Sequence, residues 1–207
     1  MRVFVYVDGF NLYYRGLRKT PYKWLDLLKL SKNLLDPQDT IEKIRYFTAD
    51  VSPRSGDPEA PLRQQTYFRA LKTIPQLEIH KGRFLPKTKM RPLVVDPSIF
   101  VEVHDTEEKG SDVNLASHLL NDGFNDRFDL ALVITQDTDL CEPIKMIKDE
   151  IGKIAGVIWT GNSNPGKRYR AVASFIRHAH PSLLARCQFP DPIVGMGGRL
   201  IAKPPSW

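Results

Sequence analysis

Four aspartates stand at positions where an α/β protein would gather catalytic carboxylates. Asp8 follows the apolar run 3–7, and Asp137 and Asp139 follow a second apolar run. The fourth, Asp112, begins a helical pattern and shares its apolar face. In an open α/β sheet, ligands bind outside the carboxyl ends of the strands. We therefore expect the four carboxylates to converge at one edge of one sheet.

The four carboxylates would repel one another, and their pKa values would rise unless a cation lay between them. Mg²⁺ and Mn²⁺ prefer oxygen ligands, and such a cluster can activate water and neutralise charge in phosphodiester cleavage. The pattern therefore predicts a Mg²⁺ or Mn²⁺ site with Asp8, Asp112, Asp137 and Asp139 as ligands. Taken singly, each aspartate also fits an ordinary turn or helix cap, as Asp139 does with Glu142. Only their coincidence at one edge favours a joint site.

The elements that would position these aspartates alternate between strands and helices. Runs typical of buried strands in a parallel sheet occupy residues 3–7, 130–134 and 154–159, with weaker candidates at 41–48 and 77–84. Apolar stripes at helical spacing occupy residues 24–35, 62–71, 113–123, 140–151 and 171–176. This alternation predicts an α/β fold with a mostly parallel central sheet flanked by helices.

The length and composition indicate one globular domain with additions. The chain has 207 residues, 42% of them hydrophobic, and its net charge of +6 permits a polyanionic partner without requiring one. We expect a domain over 1–185, with an insertion at about 86–104 that forms a β-hairpin or an ordered loop. A Pro/Gly-rich irregular tail over 186–207 should pack on it. With two cysteines and no apolar run of membrane-span length, we predict a cytoplasmic protein without a signal peptide or a membrane partner.

Three motifs resemble those of NYN domains, the PIN-like nuclease group that includes LabA-like bacterial proteins. Residues 6–13 read YVDGFNLY, residues 109–116 read KGSDVNLA and residues 135–140 read TQDTDL, in the family's order. The third motif departs mildly at Gln136 and Thr138 and keeps both acids. This resemblance implies a Rossmann-like PIN fold, cleavage of RNA with Mg²⁺ or Mn²⁺, and catalytic and metal-binding roles for the four aspartates.

The resemblance also implies roles for two further residues of these motifs. Asn11 would hold a metal-bound water or orient Asp8, although an asparagine here could equally cap the first helix. Lys109 would steady the scissile phosphate, or would be an ordinary solvated lysine. The acidic run 102–108 is interpreted mostly as a solvated loop, from which one residue could add a ligand.

Basic and aromatic residues in three segments could contact nucleic acid. The candidates are Tyr14, Arg15 and Arg18 after the first motif, Lys81, Arg83, Lys87, Lys89 and Arg91 in the strip 81–91, and Lys167, Arg168 and Arg170 in a loop. The alternative for each is an ordinary solvated or packed side chain without a role in binding. One of Tyr13 and Tyr14 is expected to pack in the core instead.

The leading hypothesis is a metal-dependent ribonuclease acting on single-stranded RNA, and the alternative is a PIN-like module that binds RNA without cleaving it. A phosphohydrolase with Asp8 as nucleophile is disfavoured, because Phe10 stands where such enzymes carry a second aspartate. Nucleotide hydrolysis at 161–167 is disfavoured because Arg168 replaces the Ser or Thr that would hold Mg²⁺. Formation of a homodimer is left open.

Overall fold

The computed structural model describes residues 1–161 and 163–207. Its strands are β1 (Arg2–Asp8), β2 (Thr40–Thr48), β3 (Leu77–Lys81), β4 (Arg83–Pro92), β5 (Phe100–Lys109), β6 (Leu130–Ile134), β7 (Ile154–Thr160), β8 (Phe175–Ala179), β9 (Ile193–Val194) and β10 (Leu200–Ile201). Its α-helices are α1 (Gly9–Asn11), α2 (Leu27–Asn33), α3 (Ala60–Leu71), α4 (Ser111–Phe124), α5 (Cys141–Asp149), α6 (Lys167–Val172) and α7 (Pro181–Arg186). A π-helical segment, Leu12–Leu17, continues α1, and a 3-10 turn, Thr138–Leu140, precedes α5.

Six strands form one parallel sheet in the order β3-β2-β1-β6-β7-β8. The central strand β1 pairs with β2 on one side and with β6 on the other. Because β1 and β6 are parallel neighbours, Asp8 and the turn after Ile134 lie at the same edge of the sheet. The predicted α/β fold with a parallel central sheet flanked by helices is confirmed.

Alternate residues of β1 face two separate hydrophobic cores. Val3, Val5 and Val7 pack with α2 and α3 on one face of the sheet. Phe4 and Tyr6 pack with α4 and α5 on the other. Each fully buried aliphatic or aromatic side chain contributes about 1.5–3 kcal/mol relative to exposure. Burial on both faces explains why β1 is apolar at consecutive positions rather than at every second one.

A buried ion network ties β1 and β2 to α4. Asp122 is fully buried and accepts hydrogen bonds from the Tyr6 hydroxyl at 2.8 Å and from the Arg45 guanidinium at 2.9 Å and 3.2 Å. Arg127 donates a further hydrogen bond at 2.8 Å. Burial alone would raise the pKa of Asp122, but the hydrogen bonds from Tyr6, Arg127 and Arg45 outweigh it and hold the pKa below its usual value. This carboxylate is therefore charged and fully partnered.

The helix predicted at 171–176 is wrong, because α6 ends at Val172 and the edge strand β8 begins at Phe175. The Phe175 ring lies over Gly156 of the neighbouring strand, where any Cβ would collide with it. This packing between strands decides the local structure and is absent from the local apolar pattern. The weaker strand predicted at 77–84 is also divided, since Gly82 separates β3 from β4.

Residues 86–104 lie within an antiparallel hairpin of β4 and β5 that forms its own two-stranded sheet. Its register runs from the pair Arg83 and Lys109 to the pair Pro92 and Phe100. Lys109 at the end of β5 is followed almost at once by α4, so the hairpin leads directly into the central motif.

The tail after α7 packs on the body through a small hairpin of β9 and β10. Phe189, Ile193 and Ile201 are buried in the same core as α2 and α3, and the Trp24 indole donates a hydrogen bond to the Pro190 carbonyl at 3.1 Å. Across the described ranges, no helix combines the length and apolarity needed to traverse a bilayer.

Candidate active site at the carboxyl edge of the sheet

Asp8 ends β1 with its carboxylate buried at the edge of the sheet, and only 4% of the residue is exposed. One oxygen accepts a hydrogen bond from the backbone N–H of Asn11 at 2.9 Å, and the other accepts one from the Thr135 hydroxyl at 3.0 Å. Burial, opposed by the Asn11 hydrogen bond and reinforced by the charges of Asp112 and Asp137, raises the pKa of Asp8 to about 6. A nearby cation would favour its charged form.

Asp112 lies half-buried in the first turn of α4. Burial raises its pKa, and the charge of Asp137 raises it further. Gly110 precedes the helix with φ of 98°, a left-handed conformation that favours glycine. Glu108, which the sequence placed in a solvated loop, accepts hydrogen bonds from the Ser111 N–H and hydroxyl at 3.1 Å and 2.6 Å. Glu108 therefore caps the start of α4 and fixes where Asp112 lies.

Asp137 and Asp139 occupy the turn that follows β6. The Asp137 carboxylate accepts a hydrogen bond from the Asp139 N–H at 3.0 Å, and the Asp137 N–H donates to the Thr135 hydroxyl at 3.1 Å. Because that hydroxyl donates to Asp8, Thr135 connects the first motif to this turn. Asp137 is partly buried and Asp139 is exposed, so both carboxylates can reach a ligand from solvent.

Asn11 joins the first motif to the third. Its side-chain oxygen accepts a hydrogen bond from the Gln136 N–H at 2.9 Å, and the Gln136 amide donates to the Thr160 hydroxyl at 2.9 Å. The residue that caps α1 is Asp8, whose carboxylate accepts from the Asn11 N–H. The departure of the third motif at Gln136 thus has a structural use, since its side chain reaches the end of β7.

The four aspartates carry uncompensated negative charge. Among the described residues, none of them forms a salt bridge with a lysine or arginine, and the pKa values of Asp8 and Asp112 are raised. Carboxylate oxygens that lie at one edge without basic partners suit a hard divalent cation. Within residues 1–161 and 163–207, however, no three His, Cys, Asp or Glu side chains lie close enough together to bind one metal ion.

Lys109 is the first residue of the central motif and contacts the Glu107 carboxylate, which also forms a salt bridge with Lys87 of the facing strand. These two ammonium groups hold the pKa of Glu107 at about 2, well below its usual value. Half of the Lys109 side chain is exposed. To bind a phosphate, Lys109 would exchange one anionic partner for another.

The basic strip 81–91 is largely neutralised by its own neighbours. Its contacts with acidic groups are Lys81 with Asp50 at 2.7 Å, Lys87 with Glu107, Lys89 with Asp105 at 2.6 Å and Arg91 with Asp105 at 3.9 Å. The antiparallel register places the acidic strand β5 opposite β4, a neighbour that the strip's own sequence does not contain. Arg83 is exposed near the base of the hairpin.

The segment after the first motif presents an aromatic ring and cations to solvent. Tyr14 is 47% exposed, and the Arg18 guanidinium lies 5.6 Å from its ring centroid. Arg15 is exposed beside it. Tyr13 is partly buried against the core, so the two tyrosines divide the roles as expected. Tyr14 is therefore available to stack on a base.

Lys167, Arg168 and Arg170 lie in α6, rather than in the loop that the sequence suggested, and all three are exposed. Tyr169 between them is buried and donates its hydroxyl to the backbone carbonyl of Asp137. The sequence alone assigned no role to Tyr169. An aromatic ring inside a basic run was the available signal that one face of this segment packs against the protein. The three cations are thereby fixed beside the third motif.

The six-stranded parallel sheet flanked by helices is consistent with a PIN-like fold. The family model of the NYN domain matches residues 2–179, and the chain belongs to the NYN domain family, whose members are generally nucleases. PIN-like nucleases of this kind typically use divalent metals.

Two further similarities were found. The chain is 31% identical to 6-hydroxy-3-succinoylpyridine 3-monooxygenase HspA from Pseudomonas putida, over all of this chain and 75% of that protein. A crystal structure of a Vibrio parahaemolyticus protein of unknown function superposes with a TM-score of 0.56 at 14% identity, covering 86% of this chain and 92% of that one. The second likeness supports the fold alone.

Proposed function

We propose that this protein is a Mg²⁺- or Mn²⁺-dependent ribonuclease that hydrolyses phosphodiester bonds of single-stranded RNA at the acidic edge of its sheet. The observation that carries the proposal is a set of four aspartates without basic partners among the described residues, placed by three NYN motifs at neighbouring strand and helix ends. The two free cysteines, both buried, are in keeping with the cytoplasm as the site of action.

Asp8 and Asp112 are the residues proposed to hold the cation, with Asp137 and Asp139 reaching it from the solvent side. Mg²⁺ usually keeps several waters and takes one or two carboxylates from the protein, so three direct ligands are not required. When bound, the cation supplies an activated water and neutralises charge on the phosphoryl oxygens. Thr135 and the Asn11 N–H hold the Asp8 oxygens in place, and Gln136 keeps the two loops together.

RNA is proposed to approach across α6 and the segment after the first motif. Arg168 lies near the acids, because its charge and the charges of Asp137 and Asp139 all act on the Cys141 thiol. Burial raises the pKa of this thiol, Arg168 lowers it, and the two aspartates raise it. Lys109 and the strip 81–91 would contribute less, because acidic side chains already partner most of those cations.

The test is a cleavage assay on single-stranded RNA and DNA in Mg²⁺, in Mn²⁺ and in EDTA. We expect RNA cleavage that requires metal and falls at least about 100-fold in Asp137→Asn, since a catalytic electrostatic contact is worth about that much. Asp149→Asn is the matched control, because this exposed aspartate contacts only lysines of its own helix. Equal cleavage by Asp137→Asn would refute the proposal, and binding without cleavage in every metal would favour an RNA-binding module instead.

The name of the Pseudomonas relative describes a different reaction, the monooxygenation of a hydroxypyridine that carries a succinoyl chain. One arm of the assay therefore incubates the protein with 6-hydroxy-3-succinoylpyridine, NADH and air and follows the loss of the compound. Turnover of this compound together with inert RNA would replace the ribonuclease proposal with an oxygenase.

A further inference from the structure

A cavity of about 540 Å³ lies beside the first motif, between the π-helical segment, the loop 49–59 and the first turns of α3. Gly9 forms part of its wall. It packs so closely against Tyr46 that a Cβ at this position would lie 2.6 Å from the ring. None of the four site aspartates is among the described residues that line it. The volume is in the range of small-molecule sites. The cavity therefore adjoins the acidic edge at Gly9, the residue after Asp8, but none of the four carboxylates lines it.

Aromatic rings form much of the wall. Tyr46 and Tyr67 meet edge to face with centroids 6.4 Å apart, and Tyr67 meets Trp207 in the same way at 5.7 Å. Tyr13 and Tyr14 close the opposite side, again edge to face at 5.2 Å. Rings fixed against one another in this way offer flat apolar surfaces that complement another flat ring.

The Tyr46 hydroxyl is a polar group of this wall. Tyr46 is 6% exposed, and among the described residues nothing hydrogen-bonds to its hydroxyl. The neighbouring Tyr67 hydroxyl, in contrast, donates to the Leu25 carbonyl at 2.8 Å. Unlike a polar atom sealed in the core, this hydroxyl keeps access to the space of the cavity. The Tyr46 hydroxyl is thus free to bond a ligand inside the cavity.

Positive charge gathers around the same space. Four cationic residues line the cavity and face a single acid, Asp57, which is held by Arg63; the four are Arg18, Lys23, Arg54 and Arg63. Burial lowers the pKa of Lys23, and the charges of Lys203 and Arg63 lower it further. Part of this lowering comes from neighbouring cations, and an anion bound among them would be stabilised.

We propose that this cavity binds a small planar aromatic molecule that carries a carboxylate or a phosphate. The ring packs against the tyrosines and Trp207, the anionic group meets Lys23 and Arg54, and the Tyr46 hydroxyl donates to a polar ring substituent. Two sources supply such a molecule: a free aromatic acid, or a nucleotide. The proposal goes beyond the ribonuclease, since it gives the cavity a small ligand of its own. Tyr14 and Arg18 of the wall are also proposed to contact RNA, so the two ligands would share those side chains.

The experiment is isothermal titration calorimetry of the full chain with two pairs of ligands. Pyridine-3-carboxylate and AMP represent the two sources, and pyridine-3-carboxamide and adenosine are their uncharged partners. We expect saturable binding of at least one anionic ligand and at least tenfold weaker binding of its uncharged partner. Selective binding of the carboxylate identifies a free acid as the ligand, and selective binding of AMP identifies a nucleotide.

Variants then locate the binding. Tyr46→Phe and Arg54→Gln should each weaken binding about tenfold, the value of one hydrogen bond or charged contact to a ligand. Arg186→Gln, an exposed substitution elsewhere on the surface, is the matched control. Asp137→Asn should leave binding unchanged, which separates this site from the ribonuclease proposal. No saturable binding by either anion, equal binding of the uncharged partners, or undiminished binding in both cavity variants would overturn the inference.

Discussion

Asp8 and Asp122 are both buried aspartates beside the same central strand, yet their surroundings are opposite. Asp122 receives hydrogen bonds from Tyr6, Arg45 and Arg127, and its pKa is lowered. Asp8 receives two neutral hydrogen bonds, lies near other acids, and its pKa is raised to about 6. Burial of a carboxylate is therefore not the sign of a functional site. The sign is burial without a basic partner among the described residues.

The largest expected effect comes from breaking the partnered aspartate. Asp122→Asn should lower the free energy of unfolding by about 3–5 kcal/mol, because it removes the fully buried counter-charge of the Arg45 guanidinium and leaves it the half-exposed Glu78 as its acidic partner. Urea denaturation followed by circular dichroism measures this loss. The folded fraction should keep its RNA cleavage. A loss below about 1 kcal/mol would mean that the network contributes little.

Removing the unpartnered aspartate should affect ligands more than folding. Asp8→Asn should reduce RNA cleavage at least about 100-fold and abolish the rise in melting temperature that Mn²⁺ gives the wild type, since a cation that binds only the folded state stabilises it. Without metal, Asp8→Asn should not lower stability at pH 7, because relief of the repulsion between acids offsets the altered hydrogen bond. An undiminished Mn²⁺ shift in Asp8→Asn would separate this residue from the metal.

The two aspartates should also differ in the sign of their pH dependence. Asp8 has a folded pKa near 6 against an unfolded value of 3.8, so the folded state binds its proton more tightly. Its contribution to stability is present below about pH 4 and is lost as pH rises through 6. Asp122 has a lowered pKa, so its contribution is present above pH 3.8 and is lost as pH falls below that value. In EDTA, Asp8→Asn should therefore gain stability relative to wild type as pH rises from 4 to 7. Urea unfolding at each pH measures this gain. A difference in free energy of unfolding that stays constant over this range would contradict the raised pKa.

The smallest expected effect concerns cations on the surface, which also differ in whether an acidic side chain already partners them. Arg168→Gln should weaken binding of single-stranded RNA about three- to tenfold and reduce the slope of log affinity against log salt by about one unit. Lys87→Gln should change affinity less than about twofold, because Glu107 already neutralises that ammonium group. Fluorescence anisotropy in EDTA, which prevents cleavage, compares them. Equal losses would mean that the hairpin exchanges its internal pairs for phosphates.

The sequence predicted the parallel sheet and the positions of the four aspartates at strand and helix ends, because those features follow from local patterns. Apolar runs mark strands buried on both faces, and the residues after such strands share an edge. What it missed depends on contacts across the chain. Two partners of Asp122, Tyr6 and Arg45, are distant in sequence, and the pairing of β4 with β5 neutralises a strip that looks purely basic by itself. The strand at Phe175 was missed for the same reason, since its packing over Gly156 lies outside the local window.

The position of β1 at the centre of the sheet has a consequence for the newly made protein. Val3 pairs with Leu130, so the first strand leaves the ribosome long before one of its two partners has been synthesised. Strands that must wait for distant partners fold slowly, and the mostly long-range contacts of this sheet put it in that group. The acidic edge assembles only once residue 139 has emerged. A nascent or prematurely terminated chain that stops before β6 would lack two of the four site carboxylates and, under the proposed function, should be unable to cut the messenger that encodes it.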